Sequence, residues 1–118
     1  MSSDQGDLTY QPKAGDLCSR PEKNGEEKPL VLVLSDLVTN LSTGFAWVAP
    51  IKDDMGAPGF CPVIQIQGKS RYIRVDRLHP VQWKNKHQLT YIKVIEPRQL
   101  SMAQGIAMNL FKTPFLNE

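Results

Sequence analysis

The sequence predicts a mainly β (α+β) domain: a small, strongly bent antiparallel sheet or SH3-like barrel of five to seven strands, with a C-terminal helix packed on it. Three observations predict it. Short apolar or alternating runs recur along the chain, separated by breaks rich in Gly, Pro and charge. One run, Leu30-Val31-Leu32-Val33-Leu34, is apolar throughout at strand length, the pattern of a central strand covered on both faces. After Pro97 the apolar spacing changes to the helical period, with Leu100, Ala103, Ile106, Ala107 and Leu110 on one face.

The elements follow in order. Residues 1–14 are polar and without periodicity and are expected as a flexible arm before a single domain at 15–111, with 112–118 as a frayed tail. Asp16 to Arg20 is a short strand, followed by a Pro21–Pro29 loop with an Asn24-Gly25 turn signal. Ser35-Asp36 caps a helical turn through Asn40. Gly44 to Ile51 is a strand, and Lys52 to Gly59 reads as a mobile loop. Phe60–Gln67 and Ser70–Asp76 are strands joined at Gly68-Lys69. Gln88 to Glu96 alternates as a strand, and Ser101 to Gln104 matches a capping box for the last helix.

With 118 residues, 41% of them apolar and 22% charged, the chain has room for one core but not for a large two-domain cofactor fold. No apolar stretch reaches the roughly 18 residues of a membrane span. The polar, acidic start is neither a signal nor a transit peptide, so the expected compartment is cytoplasmic. Cys18 and Cys61, with only His79 and His87, offer no metal-ligand spacing. No metal or cofactor is expected, and the cysteines are expected as reduced, half-buried thiols in strands.

The net charge of +2 hides an asymmetry. Between Lys69 and Lys93 stand seven Lys/Arg and one acid, Asp76, while the rest of the chain sums to −4. A basic face of this kind suits an anion, nucleic acid being the commonest. If Ser70–Asp76 is a strand, Tyr72, Arg74 and Asp76 share one face and Ile73 and Val75 the other. A guanidinium beside a carboxylate suits attack of a ribose 2′-OH on its own phosphate: Asp76 takes the proton and Arg74 stabilises phosphoryl charge. Tyr72, Trp83 and Tyr91 interleave with the basic residues; base stacking and strand packing are both open to them.

The order Gly15-Asp16-Leu17, Lys28-Pro29, Leu34-Ser35, Asn40, Thr43-Gly44, Ala49-Pro50-Ile51, Gly59-Phe60, Arg74-Val75-Asp76 and the helix through Phe111 resembles the MazF/PemK/Kid toxins of toxin–antitoxin systems. Their fold is shared with the CcdB gyrase poisons. The resemblance covers about residues 14 to 111. It implies a homodimeric, metal-independent endoribonuclease that cuts single-stranded mRNA and is silenced by an antitoxin. Arg74 and Asp76 match the catalytic Arg-x-Asp signature. Lys28, Lys52, Phe60, Arg71, Tyr72 and Arg77 are the expected RNA-binding residues. The chain departs from the family at Lys28, where Arg is usual, at Lys52, where a hydroxyl residue is usual, and at Arg77, where Gln is usual. Two other functions remain open: a CcdB-like gyrase poison, suggested by Pro62–Ile66 and Ala107–Phe111, and a non-catalytic nucleic-acid-binding module.

Overall fold

Seven strands and two helices succeed one another in the computed structural model, which describes residues 10–22, 25 and 27–116, with side chains in the last helix as far as Leu110. They are β1 (Asp16–Ser19), β2 (Leu30–Val33), α1 (Leu37–Thr43), β3 (Phe45–Lys52), β4 (Val63–Ile66), β5 (Lys69–Ile73), β6 (His79–Gln82), β7 (Thr90–Val94) and α2 (Pro97–Leu116), with a 3-10 turn at Val75–Arg77 between β5 and β6. The strands form one antiparallel sheet in the order β4-β5-β3-β2-β1-β7, and β6 pairs with β3.

β3 makes the sheet curl. Its first half, Phe45–Val48, pairs with β6, and its end, Ile51–Lys52, pairs with β5, while Val48–Ile51 lies along β2. One strand thus serves three neighbours, and the sheet wraps around it. β2 is buried on both faces, as its apolar run predicts. Leu32 faces a core with Leu17, Ile51, Ile64, Ile73 and Val75 that α2 covers through Ala103 and Ala107. Val31 and Val33 face a second core with Cys18, Ala46, Val48, Val81, Trp83 and Leu89.

Several expectations change on contact with the structure. Residues 1–9 and Asn24 lie outside the described residues, but residues 10–14 are tied down rather than loose. The Tyr10 hydroxyl donates to Asp16 Oδ2, Pro12 is fully buried, and the Pro12 carbonyl accepts from Asn40 Nδ2 at 2.9 Å. The β4–β5 turn is Gln67-Gly68, one residue earlier than expected; both take positive φ, 54° and 76°, as a two-residue hairpin turn demands. The predicted capping box is not used. α2 starts at Pro97, and the Gln104 amide instead donates to the Leu34 carbonyl at 2.9 Å, fastening the helix to the end of β2. α2 also runs on to Leu116, beyond the expected boundary at residue 111. β6 escapes sequence reading because Pro80 breaks its pattern. A proline is tolerated there because β6 has β3 on one side only in the pairing. Strand alternation also fails for β7. Its register on β1 slips between Leu17 and Cys18, and Tyr91, Ile92 and Val94 are all exposed.

Asp36 caps α1 as predicted, accepting from Thr39 N at 2.8 Å. The buried Asn40 on that helix does more. Its amide donates to the carbonyls of Pro12 and Ser35, and its oxygen accepts from the Ser35 hydroxyl. It joins the N-terminal segment, α1 and the end of β2. Asn40→Ala strands these partners and opens a cavity, so it is expected to cost about 2–4 kcal/mol, read as a lowered urea midpoint with little change in slope.

Candidate functional site

β5 ends at Ile73, and the chain coils there instead of continuing to Asp76 as a strand. Ile73 and Val75 are both fully buried, and they pin the backbone on either side of Arg74. The Arg74 N–H donates to the Pro50 carbonyl at 2.8 Å, and the 3-10 turn closes with Arg77 N to Arg74 O at 3.0 Å. Arg74 and Asp76 therefore meet through a tight turn and not across a flat strand face, which corrects the sequence reading. Tyr72 stays behind on β5, half-buried opposite Lys52 and Val63.

The pair is bidentate. Arg74 Nε donates to Asp76 Oδ1 at 2.9 Å and Nη2 to Oδ2 at 3.1 Å. Arg74 is only 6% exposed, so it does not stand on an open ribbon. The segment from Asp53 to Cys61, which takes in most of the loop expected as mobile at Lys52–Gly59 and the start of the strand expected at Phe60, straps the pair down. Ala57 N–H donates to Asp76 Oδ2 at 3.1 Å, Cys61 Sγ to Oδ1 at 3.2 Å, and Asp54 accepts from Arg74 Nη1 at 3.0 Å. Gly56 passes so close that an added Cβ would overlap Arg74 Nε and Asp76 Oδ2. The Arg74 guanidinium first of all, then the Ala57 N–H and the Cys61 thiol, hold the Asp76 carboxyl well below the usual carboxylate range, although burial acts in the opposite sense. Asp76 in turn, against the effect of desolvation, strengthens the hold of Arg74 on its proton.

Both cysteines are free and buried, not half-buried. Cys61 lies before β4, not within it. Burial pushes the Cys18 thiol up to about 11, so it stays protonated at neutral pH.

Arg74 opens onto a cleft of about 830 Å³. Lys52 and Arg77 line it too, as do Arg20, His79 and Gln88, over an apolar floor of Leu30, Val31 and Pro50. Arg20 Nη2 donates to Gln88 Oε1 at 3.2 Å. His79 Nδ1 lies 2.9 Å from the Arg77 carbonyl, which can only accept, so that nitrogen carries the proton. The sequence points to neither Arg20 nor Gln88. They stand 68 positions apart and come together only because β1 and β7 are neighbours. His79 opens β6 and is half-buried.

The other expected RNA-binding residues lie apart from this cleft. Lys28 and Arg71 line a second recess of about 470 Å³ with Lys69 and Lys93. Arg71 also lies 3.5 Å from Asp53. Phe60 is half-buried at the end of the strap, its N–H on the Ala57 carbonyl at 3.1 Å. Trp83 packs into the second core, and Tyr91 lies tilted against Tyr10 with ring centroids 5.8 Å apart. Among the described residues no three His, Cys, Asp or Glu side chains gather as a metal site, and no helix is long and apolar enough to cross a membrane.

Solved structures share this architecture. MazF from Deinococcus radiodurans superposes with a TM-score of 0.70 at 21% identity, over 88% of this chain and 99% of that one. The fold is that of MazF. A MazE-MazF complex from the same organism gives 0.72 at 23% identity, over 88% of this chain and 98% of that one. An endoribonuclease in complex with its cognate antitoxin from a Mycobacterial species gives 0.68 at 13%, again over 88% and 98%. No family model and no curated protein matches the sequence.

Two outcomes follow from the strapped pair. Gly56→Ala is expected to force Arg74 and Asp76 apart and lower stability by about 1–3 kcal/mol, read by denaturant unfolding. Because the Asp76 pKa is lower folded than unfolded, its stabilisation is complete above the ordinary aspartate value of about 3.9 and is lost as pH falls below it. The stability gap between the native chain and Asp76→Asn is therefore expected to be wide at pH 7 and to shrink as the pH is lowered below about 4.

Proposed function

We propose that this protein is the toxin of a toxin–antitoxin pair and a metal-independent endoribonuclease that cuts single-stranded mRNA. The observation that carries the reading is the bidentate Arg74–Asp76 pair, whose guanidinium lines a basic cleft. The MazF fold supports it, since structures of that fold include an endoribonuclease held by its antitoxin.

In this reading a phosphate of the RNA enters the cleft and meets Arg74, with Lys52 and Arg77 beside it. The ribose 2′-OH attacks its own phosphate, the bond to the 5′ oxygen breaks, and that oxygen takes a proton from solvent, so that a 2′,3′-cyclic phosphate and a 5′-hydroxyl result. Arg74 stabilises the charge that builds on the phosphoryl oxygens. Asp76 has two tasks. Paired as it stands, it aims the guanidinium; four donors make it a weak base. It gains basicity, and accepts the 2′-OH proton, as the donors from Ala57 and Cys61 withdraw. Lys28, Arg71, Tyr72 and Phe60 extend RNA contact away from the reacting phosphate.

The protein works as a cytoplasmic homodimer, bound across the same cleft by an antitoxin when silenced. Exposed Ile92 and Val94 on the outer strand β7, and Met102 and Met108 on α2, supply apolar surface for such contacts.

Incubation of the purified protein with a long single-stranded RNA in EDTA tests the reading. Discrete cuts are expected, and Arg74→Ala or Asp76→Ala should reduce the rate at least about 100-fold, the scale of losing a preorganised stabiliser of developing charge. Intact RNA beside trapped gyrase–DNA complexes would replace this reading with a gyrase poison. RNA retained without cleavage, and indifferent to Asp76→Ala, would replace it with a binding module.

A further inference from the structure

Arg74 is already answering an anion on its cleft side. Its Nε and Nη2 are spent on Asp76, and the remaining nitrogen, Nη1, donates to Asp54 at 3.0 Å. The Asp54 side chain is 77% exposed, and it lines the same cleft as Lys52, Arg77 and Arg20. The strap does not need Asp54 to stay in place. Ala57 and Cys61 anchor it on Asp76, and Gly56 lies flat on the pair. An exposed carboxylate held through one nitrogen is a weak occupant, screened by water and salt. A phosphate in the cleft would offer three charged oxygens to the same nitrogen and to the neighbouring cations. Asp53, the preceding residue, points to a different place, 3.5 Å from both Lys69 and Arg71. Two consecutive carboxylates thus cover two separate basic sites.

We infer that Asp54 is a resident phosphate mimic: its carboxylate holds the Arg74 Nη1 position that a phosphodiester of single-stranded RNA must take, so RNA binds by displacing it. The inference deepens the nuclease reading and rests on it for the identity of the ligand.

The test uses a single-stranded 2′-O-methyl oligonucleotide, which has no free 2′-OH to attack and so reports binding alone, and follows the Arg74 side-chain NMR signal together with the dissociation constant. Asp54→Asn is expected to bind about three- to tenfold more tightly than the native chain, with the Arg74 signal shifting at lower oligonucleotide concentration. Glu96→Gln removes the same charge at an exposed position ahead of α2, away from both recesses, and is expected to bind within about twofold of the native chain. Equal tightening in both variants would reduce the effect to net charge and overturn the inference. So would unchanged affinity in Asp54→Asn, or an Arg74 signal that ignores the oligonucleotide. Unchanged thermal melting in Asp54→Asn confirms that the exposed residue is dispensable for folding. If Asp54→Asn binds more tightly while no form of the protein cuts RNA, the displacement stands and the nuclease reading falls.

Discussion

Burying a guanidinium is tolerable only when its N–H groups find charged or carbonyl acceptors, and Arg74 imposes that condition on everything around it. Asp76 reaches it from two residues away through the 3-10 turn at Val75–Arg77. The turn holds because Ile73 and Val75 sink into the core on either side. Asp76, drawn inward, must itself be satisfied, and the strap supplies the Ala57 N–H and the Cys61 thiol. The strap can come that close only with glycine at position 56. A loop conformation, a cysteine and a glycine thus follow from one ion pair.

The strands with strong patterns were legible. β2 reads as doubly buried because the apolar run Leu30–Leu34 leaves no polar face, and the helix face through Ala103 and Ala107 reads from its period. β6 was not, because Pro80 mimics a break and the strand's partner, β3, is over 30 residues away in sequence. The pair itself was legible from Arg74-Val75-Asp76 for a partly wrong reason, since the shared-face rule brings the two side chains together in a strand that the chain does not form. Arg20 and Gln88 left no local signal. Each is an ordinary surface residue until β1 and β7 align them.

Charge counted along the chain also overstates the basic face. The stretch from Lys69 to Lys93 is strongly positive in sequence, yet Asp53 and Asp54 belong to the acidic remainder and fold onto it. Among the described residues, Lys52, Arg77 and Arg20 at the cleft and Lys28 and Lys93 at the second recess form no ion pair with an acid. Long-range attraction of a polyanion depends on the summed field, whereas grip on one phosphate depends on these few cations and on how readily the aspartates yield.

Stability and reactivity therefore pull on the same atoms. Every donor that the strap gives Asp76 lowers its basicity while strengthening the fold, and the carboxylate that Asp54 gives Arg74 neutralises the charge a phosphate needs. A site assembled this way is most stable when it is least able to react. Under the proposed nuclease reading, the free energy to loosen it comes from the ligand, through phosphate contacts made once Asp54 has moved. In that reading part of the binding energy goes into displacing Asp54 and exposing Arg74, so the observed affinity is lower by what the displacement costs. The resting arrangement is a closed ion-pair network in which Asp54, Arg74 and Asp76 answer one another's charge.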